Sequence, residues 1–206
     1  MSAGIAPPGR PAAAEIPMKF DQTSIPGCYR ITCPVHEDRR GRLVKAFQES
    51  RFARQRLAID LKEMFWTVSG ENVLRGMHVQ LPNPQTSPGG QAKLSYCAAG
   101  STMNVVLDLR VGSPMFGKHD VVELSAEAGD ACYMPPGVAH GFCVRRAPVV
   151  MVYCVTTEFS AELDACILWN SIGAPWPTQN PVLSDRDATS QRLEDFRSPF
   201  RFAPGR

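Results

Sequence analysis

No stretch of this 206-residue chain approaches the ~20 consecutive apolar residues of a membrane helix, so no membrane partner is expected. Cys-x-x-Cys and His-x-His pairs are both missing. The first absence removes the usual thiol signature of zinc or redox sites. The second removes the paired histidines of a metal-binding β-barrel, and no metal is expected. There is no basic tract: 22 Lys and Arg against 20 Asp and Glu leave a net charge of +2. That balance excludes a general nucleic-acid binder, whose phosphate footprint needs clustered cations. No repeat of solenoid type is present. The seven cysteines are odd in number and several lie in apolar stretches, as in Gly141-Phe142-Cys143-Val144. They read as buried free thiols in a reducing cytoplasm. Residues 1–17 are rich in Ala, Pro and Gly and lack the unbroken apolar core of a secretion signal.

What remains is ordinary globular composition, 44% apolar and 20% charged, enough for one domain with tails. Short β-rich runs recur at regular turn spacing. Residues 27–35 form an edge strand at best, ending in Pro34. Residues 38–41 are a turn and 42–47 alternate like a strand. Residues 49–58 suit a short helix. Strands are expected at 65–69 and 72–80, then two between 93 and 110 with a turn at 99–101. Further strands are expected at 120–124, 131–134, from 139 onward, at 149–155 and at 167–169. A C-terminal helix is expected over 188–196, followed by an irregular tail. The pattern is that of an all-β barrel or sandwich with few helices. The expected division is a flexible lead-in over 1–26, a domain over 27–187 and the C-terminal helix and tail over 188–206.

The stretch from Asn72 to Arg110 holds most of the candidate chemistry: Arg75, His78, Gln80, Lys93 and Asp108 among apolar neighbours. In a strand His78 and Gln80 share one face, and Met77 and Val79 the other. Basic groups on one face and apolar groups on the other suit a barrel wall with a functional lumen. A single histidine is more often structural than catalytic. Arg75 and Lys93 beside it would be costly to desolvate without an anionic ligand. The plainer alternative is a solvated basic face paired with Asp108. Tyr153, inside Val149-Val150-Met151-Val152-Tyr153-Cys154-Val155, fits a core tyrosine better than a proton donor.

Together, Val73-Leu74-Arg75-Gly76-Met77-His78-Val79-Gln80, Gln91-Ala92-Lys93-Leu94, Val106-Leu107-Asp108-Leu109-Arg110, Met134-Pro135-Pro136-Gly137-Val138-Ala139-His140-Gly141-Phe142, Ile167-Leu168-Trp169-Asn170 and Leu183-Ser184-Asp185-Arg186-Asp187 resemble the dTDP-4-dehydrorhamnose 3,5-epimerase family. The resemblance implies a cupin-type β-barrel (jelly roll) and cofactor-independent epimerisation of a nucleotide-diphosphate-linked 4-keto-6-deoxy sugar. It makes His78 the general base with Asp187 as its partner, Lys93 the enolate stabiliser, and Tyr153 the acid. Arg75 would meet the diphosphate. Gln80 would belong to the substrate pocket, and His140 and Asp108 would line or brace it. A homodimer is implied, in which the neighbour's Arg40 reaches the nucleotide. Three positions depart from the family pattern: Lys45 replaces a glutamate, Glu63-Met64-Phe65 replaces Gln-x-Asn, and Glu158 replaces an aromatic. These departures imply an altered nucleotide or sugar, or inversion at one carbon only. The competing readings are a keto-sugar isomerase, a non-catalytic nucleotide-sugar-binding cupin and a metal-dependent cupin oxygenase.

Overall fold

The computed structural model describes residues 17–57 and 60–204. It contains eleven strands: β1 (Lys19–Gln22), β2 (Tyr29–Thr32), β3 (Val35–Asp38), β4 (Gly41–Val44), β5 (Glu63–Ser69), β6 (Leu74–Gln80), β7 (Lys93–Asp108), β8 (His119–Ser125), β9 (Asp130–Met134), β10 (Val138–Val155) and β11 (Asp164–Cys166). Two short helices accompany them, α1 (Glu49–Arg54) and α2 (Asp185–Ala188). β3 and β4 form a separate hairpin; the other nine strands form one sheet in the order β1-β2-β9-β7-β10-β6-β11, with β5 on β10 and β8 on β7.

β7 and β10 organise this sheet. The first part of β7 pairs with β9, and its second part pairs with β8. The first part of β10 pairs with β6, and its last part pairs with β5. Each strand therefore runs through both layers of a jelly roll, as the all-β expectation required. The sequence suggested two strands and a turn at 99–101, and a break between the 139 and 149 strands. Both are bends within continuous strands. Gly100 has φ +75, and a Cβ there would stand 2.3 Å from the Arg146 carbonyl oxygen. Register shifts in β10 lie opposite, between Val144 and Val150. Glycine and local irregularity let the strand turn the barrel corner without ending.

Both faces of the central strands are covered. Val106, Phe142, Met151 and Tyr153 fill the barrel interior. Met77, Val79, Val105 and Leu107 face outward beneath Trp169, Ile172, Trp176 and Phe200. The C-terminal segment is therefore a packed cover, not a free tail. The helix expected over 188–196 does not form: α2 spans four residues and a 3-10 turn occupies Leu193–Asp195. This stretch spends its apolar residues Leu193 and Phe196 on the same outer core, which an extended path reaches as well as a helix does. Residues 1–16 of the expected lead-in lie outside the described residues. Beyond them, Lys19–Gln22 pairs with β2, so the sheet begins before residue 27. No helix among the described residues is long and apolar enough to cross a membrane.

Candidate active site

β6 carries the centre of the site. It pairs with β10 so that His78 lies across from His140, but Arg75 lies across from Phe142. The extra residue on β6 is a bulge. Gly76 and Gly141 permit it, because a Cβ on Gly76 would meet the Gly141 Cα at 2.4 Å. The bulge turns Arg75, three residues before His78, toward the same side as His78 and Gln80. Met77 and Val79 stay on the outer core, as alternation predicts.

These side chains open on a cavity of about 340 Å³. Arg75, His78, Gln80, Lys93, His140 and Tyr153 all line it. β5 adds Glu63, Phe65 and Thr67 at alternate positions, and the loop after β10 adds Phe159. Asp187 sits behind His78 instead of lining the cavity. Its Oδ1 is 2.7 Å from His78 Nε2, and its Oδ2 accepts the Gly76 N–H at 3.2 Å. Ser184, at the N-terminus of α2, receives the Asp187 N–H and so fixes that short helix. Burial alone would raise the Asp187 carboxyl. The hydrogen bond and charge of His78 outweigh burial, and the group stays below its ordinary value. An ionised carboxylate only accepts, so His78 Nε2 carries a proton, and in the neutral ring Nδ1 is the bare nitrogen.

Lys93 is held by its Nζ–H to the His78 carbonyl oxygen at 3.2 Å. Burial lowers it to about 8, Asp164 opposing and Arg186 adding to the shift. Burial likewise drives His140 down to about 3, with Lys93 and His78 contributing. His140 is therefore neutral, and its Nε2 meets Asn104 Oδ1 at 2.9 Å. Burial pushes the Tyr153 hydroxyl up, against the opposing Arg75 charge, so it keeps its proton at neutral pH. Its ring stacks on Phe65 with centroids 4.9 Å apart. Arg75 hydrogen-bonds Ser69 Oγ and the Val68 carbonyl and has no carboxylate partner among the described residues. The Gln80 amide donates to Thr157 Oγ1 and the Glu158 carbonyl, which ties the mouth loop to the site strand.

Two predicted site residues lie elsewhere. Arg40 is exposed on the β3–β4 turn, paired with Asp38 at 2.6 Å, and reaches no cavity residue of its own chain. Asp108 is fully buried but does not line the cavity. Its oxygens take Arg110 Nε and Nη2 at 2.9 and 2.7 Å and Ser113 Oγ at 2.6 Å. It does not pair with Arg75 or Lys93 either; Arg110, two residues along, closes on it first. Three residues escaped the sequence reading. Asp164 and Arg186 form an ion pair of 2.5 Å on the cavity wall, and Asn104 holds His140. Only Asn104 left a signal, as a polar residue inside an apolar strand run. Among the described residues His78, Cys166 and Asp187 could together hold a metal, their ligand atoms lying within 4.8 Å of one another.

A jelly roll whose lumen joins a carboxylate-backed histidine, a buried lysine and a protonated tyrosine defines a cupin-type protein equipped for acid–base chemistry. The chain belongs to the dTDP-4-dehydrorhamnose 3,5-epimerase family, which residues 22–195 match. The dTDP-4-dehydrorhamnose 3,5-epimerase of Shigella flexneri is 36% identical over 184 residues, covering 86% of this chain and 97% of its own. The Legionella pneumophila 3,5-epimerase, solved with dTDP-4-keto-L-rhamnose, superposes with a TM-score of 0.81 at 30% identity, covering 90% of this chain and 99% of its own. A 3'-monoepimerase from Streptomyces bikiniensis, solved with dTDP-quinovose, gives 0.76 at 31% identity, covering 84% and 86%.

Proposed function

We propose that this chain is a cofactor-independent isomerase that epimerises a nucleotide-diphosphate-linked 4-keto-6-deoxy sugar at C3, C5 or both, in deoxysugar biosynthesis. The observation that carries the reading is the His78–Asp187 pair opening on one cavity with Lys93 and Tyr153. The C4 ketone acidifies the neighbouring C–H bonds. His78 Nδ1 takes that proton while Asp187 stabilises the imidazolium. The electron pair moves onto the C4 oxygen, and the Lys93 ammonium meets the charge there. Tyr153 then protonates the carbon on the opposite face and recovers a proton from solvent. His140, held neutral, adds no competing charge. Arg75, free of any carboxylate among the described residues, meets the diphosphate.

Glu63 and Phe65 line the cavity where the family pattern has Gln and Asn, and this favours a changed nucleotide or a single inverted carbon. The Glu63 carboxylate also holds the mouth loop through the Phe159 N–H at 2.7 Å. The working unit is a homodimer. β5 exposes Met64, Trp66 and Val68, each more than 60% accessible, a long apolar face of the kind a partner covers. Across such an interface the partner's hairpin would bring its own Arg40 position to the nucleotide. The seven free buried thiols suit a reducing cytoplasm.

Proton NMR in heavy water, with dTDP-, CDP- and GDP-4-keto-6-deoxy sugars, tests the reading. Deuterium entering at C3, C5 or both is the expected result, and the preferred donor names the nucleotide. Exchange with none of them would end it. Light scattering should give twice the chain mass.

A further inference from the structure

We infer that His78, Cys166 and Asp187 form a binding site for one thiophilic divalent cation of the zinc class. Binding is argued from geometry alone; its effect on turnover rests on the reading of His78 as the base.

Three elements converge. β11 pairs with β6 in a register that sets Cys166 directly across from His78, and α2 brings Asp187 against both. His78 Nε2 lies 2.7 Å from Asp187 Oδ1, and Cys166 Sγ lies 3.7 Å from the same oxygen. Tetrahedral zinc, with bonds of about 2.0–2.3 Å, spaces its ligand atoms roughly 3.3–3.8 Å apart. The Cys166–Asp187 spacing falls in that range. The His78 and Cys166 ligand atoms lie within 4.8 Å of each other, and the His78–Asp187 contact must open by roughly 0.6 Å to reach the range. The His78 ring, 32% accessible on the cavity, has room to make that shift.

The donor set also selects its ion. Thiolate and carboxylate bring two negative charges against the cation's two. Sulfur and imidazole favour zinc, whereas magnesium demands octahedral oxygen. Arg186 on the same side is already neutralised by Asp164. Three protein ligands and one open position is a common zinc arrangement.

The proton balance follows. On binding, the Cys166 thiol proton leaves to solvent. The cation takes the Nε2 lone pair, and the neutral ring's single proton moves to Nδ1. Asp187 exchanges a hydrogen bond for a metal bond. Nδ1, the nitrogen that the epimerase reading needs bare, is then occupied. The cation thus switches the base off reversibly.

Cobalt titration of the full-length protein, with zinc as competitor, tests the site. One equivalent of Co²⁺ should produce a thiolate-to-cobalt charge-transfer absorption that zinc removes. Cys166→Ser should abolish the absorption. His78→Asn, a change on the cavity surface that leaves the buried packing intact, should weaken cobalt binding by about tenfold or more. No absorption in the wild type, or unchanged affinity in His78→Asn, overturns the site. Zinc inhibition of deuterium exchange, wild type and Cys166→Ser each compared with its own metal-free rate, separates the two claims. Zinc that displaces cobalt from the wild type but leaves its turnover intact keeps the site and removes His78 as base. Turnover that persists with zinc unbound removes the site and leaves the base reading standing.

Discussion

Two carboxylates in this barrel, Asp108 and Asp187, are both buried against a cationic or protonatable partner, yet they serve different ends. Asp108 is closed. Arg110 and Ser113 use its oxygens, and Arg110 also reaches the Pro26 carbonyl at 2.9 Å. Nothing in that cluster faces a cavity. Asp187 is half of an open arrangement. It grips one face of His78, while the other face borders a cavity with Lys93 and Tyr153. A buried carboxylate that satisfies itself within its own loop is a structural brace. One that orients a single titratable ring toward empty space is built for chemistry.

The comparison breaks most visibly at Asp108. Asp108→Ala leaves the Arg110 charge buried and unpaired, with an expected loss of about 3–5 kcal/mol of stability. Urea unfolding measures it, and turnover per folded molecule should stay near wild type. Collapse of turnover at full stability would show that Asp108 belongs to the active site after all. His78→Ala should behave oppositely: turnover per folded molecule falls about a hundredfold or more, while stability falls less than in Asp108→Ala because Asp187 keeps the Gly76 N–H. Near-normal turnover would remove the base assignment.

Asp187→Asn sharpens the contrast, because the amide no longer dictates which His78 nitrogen holds the proton. Turnover should drop on the order of tenfold, less than for His78→Ala, and a loss of stability alone would make Asp187 a second brace. Lys93 gives a pH test. Its ammonium deprotonates near 8 instead of near 10.5, so kcat/KM should fall as pH rises through about 8. Lys93→Arg, always charged, should move that limb upward or abolish it; an unchanged limb would assign it to another group. The smallest effect concerns His140. Burial lowers it from 6.5 to about 3, so the unfolded chain binds its proton first. The stability it contributes is complete above pH 6.5 and declines as pH falls toward 3. Acid titration of unfolding free energy should lose that slope in His140→Asn.

Much of the cavity was legible because strands alternate. Once residues 74–80 are read as a strand with Met77 and Val79 facing one apolar layer, His78 and Gln80 must share the other side. Arg75 was legible as a residue but not as a neighbour of His78 in space. Its facing depends on the bulge at Gly76, which no period-2 rule contains. The 16- and 18-residue lengths of β7 and β10 were hidden for a similar reason. Gly100 and the segment from Arg145 to Pro148 resemble turns in sequence, and only the two-layer packing makes them corners. Asp108 was misplaced because a nearby opposite charge on the same strand competes with any partner across the barrel.

By itself the sequence determined the class of fold, the strand that carries His78, and the identities of most groups around the cavity. Composition and residue alternation are local properties, and both survive folding unchanged. Tertiary structure alone decided which charges pair. Asp187 meets His78 across 109 residues, and Cys166 joins them through the β11–β6 register. Asp108 is left outside the cavity. Pairing depends on distances of a few ångströms between segments far apart in the chain, and in this barrel those distances are set by the bends of β7 and β10.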